Sequence, residues 1–283
     1  MDPVLPLLFV IGVCVGSFLN VLIDRLPVNE TILGRSHCDH CKRSLQWYEL
    51  IPVVSFFILS ARCRTCKTKL SYFYPFIEVL TGAVFVLGWV FFPVDFLAFA
   101  YPNLKAVLVD HNSYSISVFL AKAAFLGILC TIIVMFFADL KYYIIPDWMQ
   151  LAFAYFALML FFIREIDFER IVYRMGAGIV LLLPLLAIYL YTKGRGIGFG
   201  DVKLAWNLGF FMGIIYGMSA LYLAFIGGAV VGGVLILLRR KKMKSKVPFG
   251  PFILAGVLIT IFAFPWVNYL MYLFYGVELL FPL

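Results

Sequence analysis

Two aspartates stand where apolar stretches of this 283-residue chain meet its basic loops. Asp139 lies in Ala138-Asp139-Leu140-Lys141-Tyr142-Tyr143-Ile144-Ile145-Pro146-Asp147, and Asp201 ends Gly196-Ile197-Gly198-Phe199-Gly200-Asp201, just before Val202-Lys203. A carboxylate close to hydrocarbon is costly, which marks it as functional and calls for a partner. Each aspartate is the other's best candidate. Two carboxylates that share one proton can activate a water and protonate a leaving group, which hydrolyses a peptide without a covalent intermediate. Gly198 and Gly200 remove side chains beside Asp201, so backbone or an extended peptide can approach. Lys203 could steady an ionised partner. Asp147, after Pro146, reads instead as a turn and helix start. Glu78, within Tyr74-Pro75-Phe76-Ile77-Glu78-Val79-Leu80-Thr81, either lines a polar cavity or snorkels to the interface.

A second constellation is built on sulfur. Cys38-Asp39-His40-Cys41 and Cys63-Arg64-Thr65-Cys66 are two CxxC pairs separated by about twenty residues, the spacing of a tetrathiolate zinc ribbon. Each tight bend delivers two thiolates, and four soft ligands make the tetrahedron that Zn²⁺ prefers. A small loop with little core of its own gains its fold from such a metal. Reduced, metal-free pairs and a redox role are the alternatives. His37 and His40 flank the first pair and could replace a ligand, or simply be solvated. Cys14 and Cys130 lie inside apolar stretches and read as small core residues.

These residues need a scaffold, and the composition says which kind. Hydrophobic residues make up 64% of the chain and charged residues 13%, too much apolar surface for a soluble domain of this size. The expected fold is all-α: a polytopic membrane protein with about eight spans and a small zinc-ribbon-like cytoplasmic loop. The spans are Val4–Ile23, Tyr74–Phe92, Ser117–Ala138, Trp148–Ile163, Ile171–Tyr191, Val202–Ile215, Ser219–Leu238 and Phe252–Phe274.

The net charge of +8 sits in short loops, where it acts as an orientation signal rather than a nucleic-acid footprint. Arg25–Lys69 and Arg239–Lys246 are strongly basic, whereas Pro93–Ser117 carries only Lys105 against Asp95 and Asp110. With the basic loops in the cytoplasm, both termini lie outside and both aspartates reach the cytoplasmic face. That parity requires the short sixth span to cross. The first span, preceded only by Met1 and Asp2, reads as a retained anchor rather than a signal peptide. Lys246-Val247-Pro248-Phe249-Gly250-Pro251 fixes the entry turn of the last span. The sequence offers no internal repeat of useful length.

Other chemistries compete for these residues. The glycine run fits neither G-x-G-x-x-G nor the P-loop. A proton-coupled transporter also uses paired intramembrane acids, and a zinc-bearing membrane scaffold would use the cysteines alone.

Taken together the motifs resemble the type IV prepilin peptidases, the leader peptidase/N-methyltransferases of pilus and type II secretion systems. The resemblance runs through Gly16-Ser17-Phe18-Leu19-Asn20-Val21 with Arg25-Leu26-Pro27, both CxxC pairs, and Trp47-Tyr48-Glu49-Leu50-Ile51-Pro52. It continues through Tyr74–Thr81, Asp139-Leu140 with Ile145-Pro146-Asp147, Gly198–Lys203 and Pro248-Phe249-Gly250-Pro251. It implies a GxGD-type intramembrane aspartyl protease, related in mechanism to presenilin, with Asp139 and Asp201 as its catalytic acids. Such enzymes cut a short basic leader from prepilins or pseudopilins after a glycine, on the cytoplasmic side. They then methylate the new amino terminus, usually of phenylalanine, with S-adenosylmethionine. The intact cysteine loop is typical of members that perform both reactions. The implied division is a first transmembrane helix over residues 1–24, a cytoplasmic four-cysteine loop over 25–73, and a protease domain over 74–283.

Overall fold

The computed structural model describes residues 4–38, 40–101, 116–163, 168–238 and 247–275. Met1, Asp2, Lys105, Asp110 and the basic run 239–246, which carry part of the orientation argument, lie outside the described residues. The elements are α1 (Val4–Arg25), α2 (Val54–Ile58), α3 (Phe73–Val90), α4 (Val94–Ala100) and α5 (Ile116–Tyr142), followed by α6 (Asp147–Met159), α7 (Phe168–Thr192), α8 (Phe199–Leu237), α9 (Gly250–Phe262) and α10 (Phe264–Tyr275). Short 3₁₀ turns occupy Leu26–Val28 and Trp47–Leu50. Helices α1, α3, α5, α7 and α8 are long and apolar enough to cross a bilayer, so the chain is a multi-pass membrane protein. It folds as two compact units, Met1–Phe92 with Phe125–Met149, and Pro93–Ala124 with Gln150–Leu283.

In the first unit, α1 lies against α3 through glycines. A Cβ at Gly12 would sit 2.8 Å from Gly82 Cα, and one at Gly16 2.8 Å from Glu78 Cα. The spacing Gly12-Val13-Cys14-Val15-Gly16 therefore brings two backbones together, as small residues do between membrane helices. Leu19, Leu22 and Ile23 of α1 pack with Ile77 of α3 and with Ile133 and Val134 of α5. Cys130 packs partly against this core, but Cys14 is exposed. The expectation that Cys14 is a core residue is therefore corrected. It falls on the side of α1 away from the glycine contact.

In the second unit, Phe96 of α4 touches Phe211, Tyr216 and Phe264, with ring centroids 5.8, 6.2 and 5.7 Å apart. Helix α8 holds two of the expected spans, Val202–Ile215 and Ser219–Leu238, and breaks at Gly213, inside the first of them, with φ 79° and ψ −178°. Beyond this break the chain turns back. A Cβ at Gly217 would lie 3.6 Å from the carbonyl oxygen of Leu208, whereas nine residues of straight helix span roughly 13 Å. The break exposes carbonyls that helix bonding no longer satisfies. Arg174 Nη1 and the Tyr101 hydroxyl both donate to Phe211 O at 3.1 Å, and Arg174 Nη2 donates to Ala100 O. Arg174 is 7% exposed, a guanidinium held by carbonyls at a helix C-terminal end.

Two expected spans take other forms. Trp148–Ile163 is helical only to Met159, about 20 Å at 1.5 Å per residue. The apolar run then turns, and Phe161 buries against Tyr101 and Phe210 at 4.7 and 5.8 Å. Phe252–Phe274 is two helices bent by 94°. Pro265, at the start of α10, has no N–H for Ile261 and its ring clashes with that carbonyl. The entry turn before α9 matches expectation, with Pro251 in the first turn.

Candidate functional site

The cysteine loop is built from one motif used twice. In the first knuckle Cys38 N donates to Arg43 O, Lys42 N to Cys38 O, and Leu45 N to Ser36 O. In the second, Cys63 N donates to Thr68 O, Lys67 N to Cys63 O, and Leu70 N to Ala61 O. The offsets are identical, and Lys42 and Lys67 share the left-handed conformation at φ 56° and 59°. The sequence carries this repeat as Cys-x-x-Cys-Lys-x-x-Leu at Cys38–Leu45 and Cys63–Leu70. It is short, so a search for a repeat of useful length passes over it.

The two knuckles bring Cys38, Cys41, Cys63 and Cys66 together, with all four sulfurs within 4.8 Å of one another. Cys38 and Cys66 Sγ are 3.8 Å apart, and Cys41 and Cys63 Sγ 4.0 Å apart. A tetrahedron with metal–sulfur bonds of about 2.3 Å has edges of about 3.8 Å. The donor set therefore fits a four-coordinate soft cation. Hydrogen bonds from the Thr68 hydroxyl and backbone draw the Cys66 thiol down to about 6. At Cys41 a backbone hydrogen bond from Arg43 favours the thiolate, yet burial and the neighbouring thiols outweigh it and push the thiol up to about 11. The four clustered sulfurs could hold a metal ion at their centre. His37 takes part in a bridge with Ser44 instead, and the metal cluster found among the described residues holds the four cysteines alone.

Asp139 belongs to the first unit and is 5% exposed, one turn from the end of α5. Tyr143, at φ 58°, closes the helix by donating its N–H to Asp139 O at 2.9 Å. The sequence reading missed what fixes this helix end. Asp24 of α1 accepts from Lys141 Nζ at 2.6 Å, from Tyr142 Oη at 3.3 Å and from Tyr74 Oη at 3.1 Å, tying α1, α3 and α5 together. An acid at the end of the first span, with Lys141 two residues beyond Asp139, was the available signal.

Asp201 belongs to the second unit and is 6% exposed, in the first turn of α8. Gly198 N donates to Asp201 Oδ2 at 3.1 Å, and Asp201 N donates to Gly198 O at 3.2 Å. A Cβ on Gly198 would lie 3.3 Å from that same carboxylate oxygen. Gln150 of α6, 4% exposed, donates to Gly200 O at 3.4 Å, and Asn207 of α8 donates to Gln150 O at 3.3 Å. Gln150 and Asn207 were also missed; amides inside apolar spans were their only mark. Lys203 lies over the Phe199 ring at 5.0 Å. Asp147 is exposed at the start of α6, as expected of a helix-opening residue.

Glu78 is settled in favour of a cavity. It is 7% exposed and accepts from Val53 N at 2.7 Å. The cavity, about 250 Å³, lies in the first unit between the helix ends and the cysteine loop, and Glu78, Glu49 and Asn20 line it.

Residues 10–92 match the bacterial peptidase A24 N-terminal domain, and residues 125–237 match the type IV leader peptidase family. A Bacillus subtilis protein named prepilin leader peptidase/N-methyltransferase is 28% identical over 257 residues, covering 90% of this chain and 92% of its own length. A Myxococcus xanthus protein of the same name is 33% identical over 239 residues, covering 81% of this chain and 62% of its own. A third, from Burkholderia pseudomallei, is 28% identical over 281 residues, covering 89% and 83%. No solved structure matches the chain.

Proposed function

The chain belongs to the type IV leader peptidase family, and on that premise we propose that it cleaves the basic leader from type IV prepilins or pseudopilins and N-methylates the new amino terminus. The observation that carries this reading is the burial of two acids, Asp139 and Asp201, each at one end of an apolar helix within the family-matched segment 125–237. We assign them as one catalytic dyad. The ionised carboxylate takes a proton from water, the protonated one polarises the scissile carbonyl, and that proton passes to the leaving nitrogen. A coupled pair titrates as a unit, so the acid and base roles belong to the dyad as a whole. Gly198 and Gly200 leave room for an extended peptide, and the Gly198 N–H holds the Asp201 carboxylate in place. Lys203, two residues on, adds a nearby positive charge.

The cysteine tetrad holds a structural Zn²⁺ on this reading, through Cys38, Cys41, Cys63 and Cys66. S-adenosylmethionine supplies a methyl carbon when bound: its bond to sulfur breaks with the electron pair left on sulfur, a carbon–nitrogen bond forms, and the amine loses a proton. The protein sits in the bacterial cytoplasmic membrane with the cysteine loop and both aspartates toward the cytoplasm, in keeping with the basic residues of Arg25–Lys69. The substrate's hydrophobic stem lies against the apolar helices, and its basic leader extends into the cytoplasm.

The test is to incubate detergent-solubilised protein with a model prepilin and weigh the products. Loss of the leader mass followed by a gain of one methyl supports the reading. An intact peptide overturns it, and is what a proton-coupled transporter would leave.

A further inference from the structure

The cavity of the first unit has walls of unequal chemistry. Asn20 and Asp24 come from α1, Tyr74 and Glu78 from α3, and Glu49 and Phe56 from the loop segment. Three of these six are carboxylates, and two already have fixed cations. Asp24 holds Lys141 at 2.6 Å and Glu49 holds Arg43 at 2.5 Å. Glu78 differs. It takes hydrogen bonds from the Val53 N–H and the Ser17 side chain, and no Lys or Arg pairs with it among the described residues. Buried carboxylates are ordinarily paired; among those lining the cavity Glu78 is the buried one without a cationic partner, whereas Glu30 is exposed.

The position of Glu78 is not incidental. Val53, which donates to it, sits at φ 60°, a conformation that costs a β-branched residue about 1–3 kcal/mol and persists only where its surroundings enforce it. Asn20 supplies a second, independent sign. It is 5% exposed and its Nδ2 donates to Tyr74 O at 3.1 Å, but Oδ1 is buried with no partner. A buried carbonyl oxygen without a donor is a seat for an N–H or O–H of a ligand. Arg25 and Arg64 also line the cavity.

Resting on the methyltransferase reading above, we propose that this cavity is the S-adenosylmethionine site, with Glu78 facing the sulfonium and Asn20 Oδ1 accepting an N–H of the donor. The amino-acid carboxylate is met by Arg25 or Arg64. At about 250 Å³ the cavity lies just under the usual small-molecule range of about 300–1,000 Å³, so it encloses part of the donor and the rest projects from its mouth. The alternative cationic occupant is the amino terminus of the cleaved peptide. That group brings one charge and no anion, so it would make no use of either guanidinium and would leave most of the volume empty. Cys38 and Cys63 line the same cavity, so metal loading of the knuckles shapes one of its walls.

The experiment measures binding, not turnover. Titrate zinc-loaded full-length protein in detergent with S-adenosylmethionine and, separately, with the uncharged thioether S-adenosylhomocysteine. The wild type should favour the charged donor by about tenfold or more, the weak end of measured close charge pairs. Glu78→Gln should abolish that preference while zinc content and melting temperature hold. Equal preference in the variant and the wild type overturns the proposal. Should Glu78→Gln fail to fold, ultraviolet cross-linking of methyl-labelled donor to the wild type decides. Label on peptides spanning residues 17–30 or 45–78 supports the cavity, and label confined to residues 150–275 refutes it. Failure to bind either ligand at millimolar concentration removes the methyltransferase reading itself, whereas binding with the label elsewhere removes this site alone.

Discussion

At the scale of the residue, the acids of this chain fall into two kinds. Asp24 and Glu49 have fixed cations and hold elements together, whereas Glu78 is held by hydrogen bonds alone. The Asp24–Lys141 pair is part exposed, with side chains 26% and 43% accessible, so its worth is capped near 1 kcal/mol. Asp24→Asn should accordingly speed hydrogen exchange across residues 140–145 by about two- to fivefold, without unfolding the protein. No change in that segment would remove Asp24 as the clamp on the end of α5. Arg174 is a harder case because it is buried and satisfies Phe211 O and Ala100 O. Arg174→Ala should destabilise by about 1–3 kcal/mol, because Ala100 O loses its donor while Phe211 O keeps the Tyr101 hydroxyl, and Arg174→Lys should recover only part of this, since one ammonium lacks the planar fork. Thermal melting of the three proteins checks the order. Asp139, Asp201 and the four cysteines were legible as residue types in unusual places. Asp24, Gln150, Asn207 and Arg174 were not, because an isolated polar residue in an apolar span declares its importance only through its partners.

At the scale of the element, periodicity and charge placed most of the helices, and local backbone chemistry decided where they break. The division of α8 falls at Gly213, inside the first expected span rather than in the expected gap at 216–218, because Gly213 adopts φ 79°, which glycine tolerates. The bend at Pro265 and the early stop of α6 were written in the sequence as a proline and as aromatic residues, but hydropathy averages over both. The contact of α1 with α3 depends on Gly12 and Gly16, whose added Cβ would meet backbone at 2.8 Å. Gly16→Val should push α3 away and lower the melting temperature by several degrees, whereas Cys14→Val, on the exposed side, should leave it within about a degree. Equal shifts for the two would sink the glycine-contact account. The paired knuckles make a similar argument for metal. Purified protein should carry one Zn²⁺ per chain, lost when Cys38 and Cys66 are both replaced by Ser, and strong chelators should render residues 36–70 sensitive to protease. Metal analysis that finds no zinc in the wild type would contradict the assignment.

At the scale of the whole molecule, Asp139 belongs to one compact unit and Asp201 to the other. Composition made the membrane setting plain, and motif order made the family plain, because both are properties of the chain as a string. Packing was less visible: that a short cysteine loop walls a cavity with two transmembrane helices depends on contacts between residues far apart in sequence, such as Val53 with Glu78. The proposed function rests on Asp139 and Asp201 both being catalytic. Its most direct test is the rate of leader loss from a model prepilin, followed by mass spectrometry, for wild type, Asp139→Asn and Asp201→Asn in matched membranes. Each substitution alone should reduce cleavage by at least about a hundredfold, the scale of a lost general acid or base, with the protein still folded and zinc-loaded. Either variant cutting at a rate near that of the wild type would contradict the account.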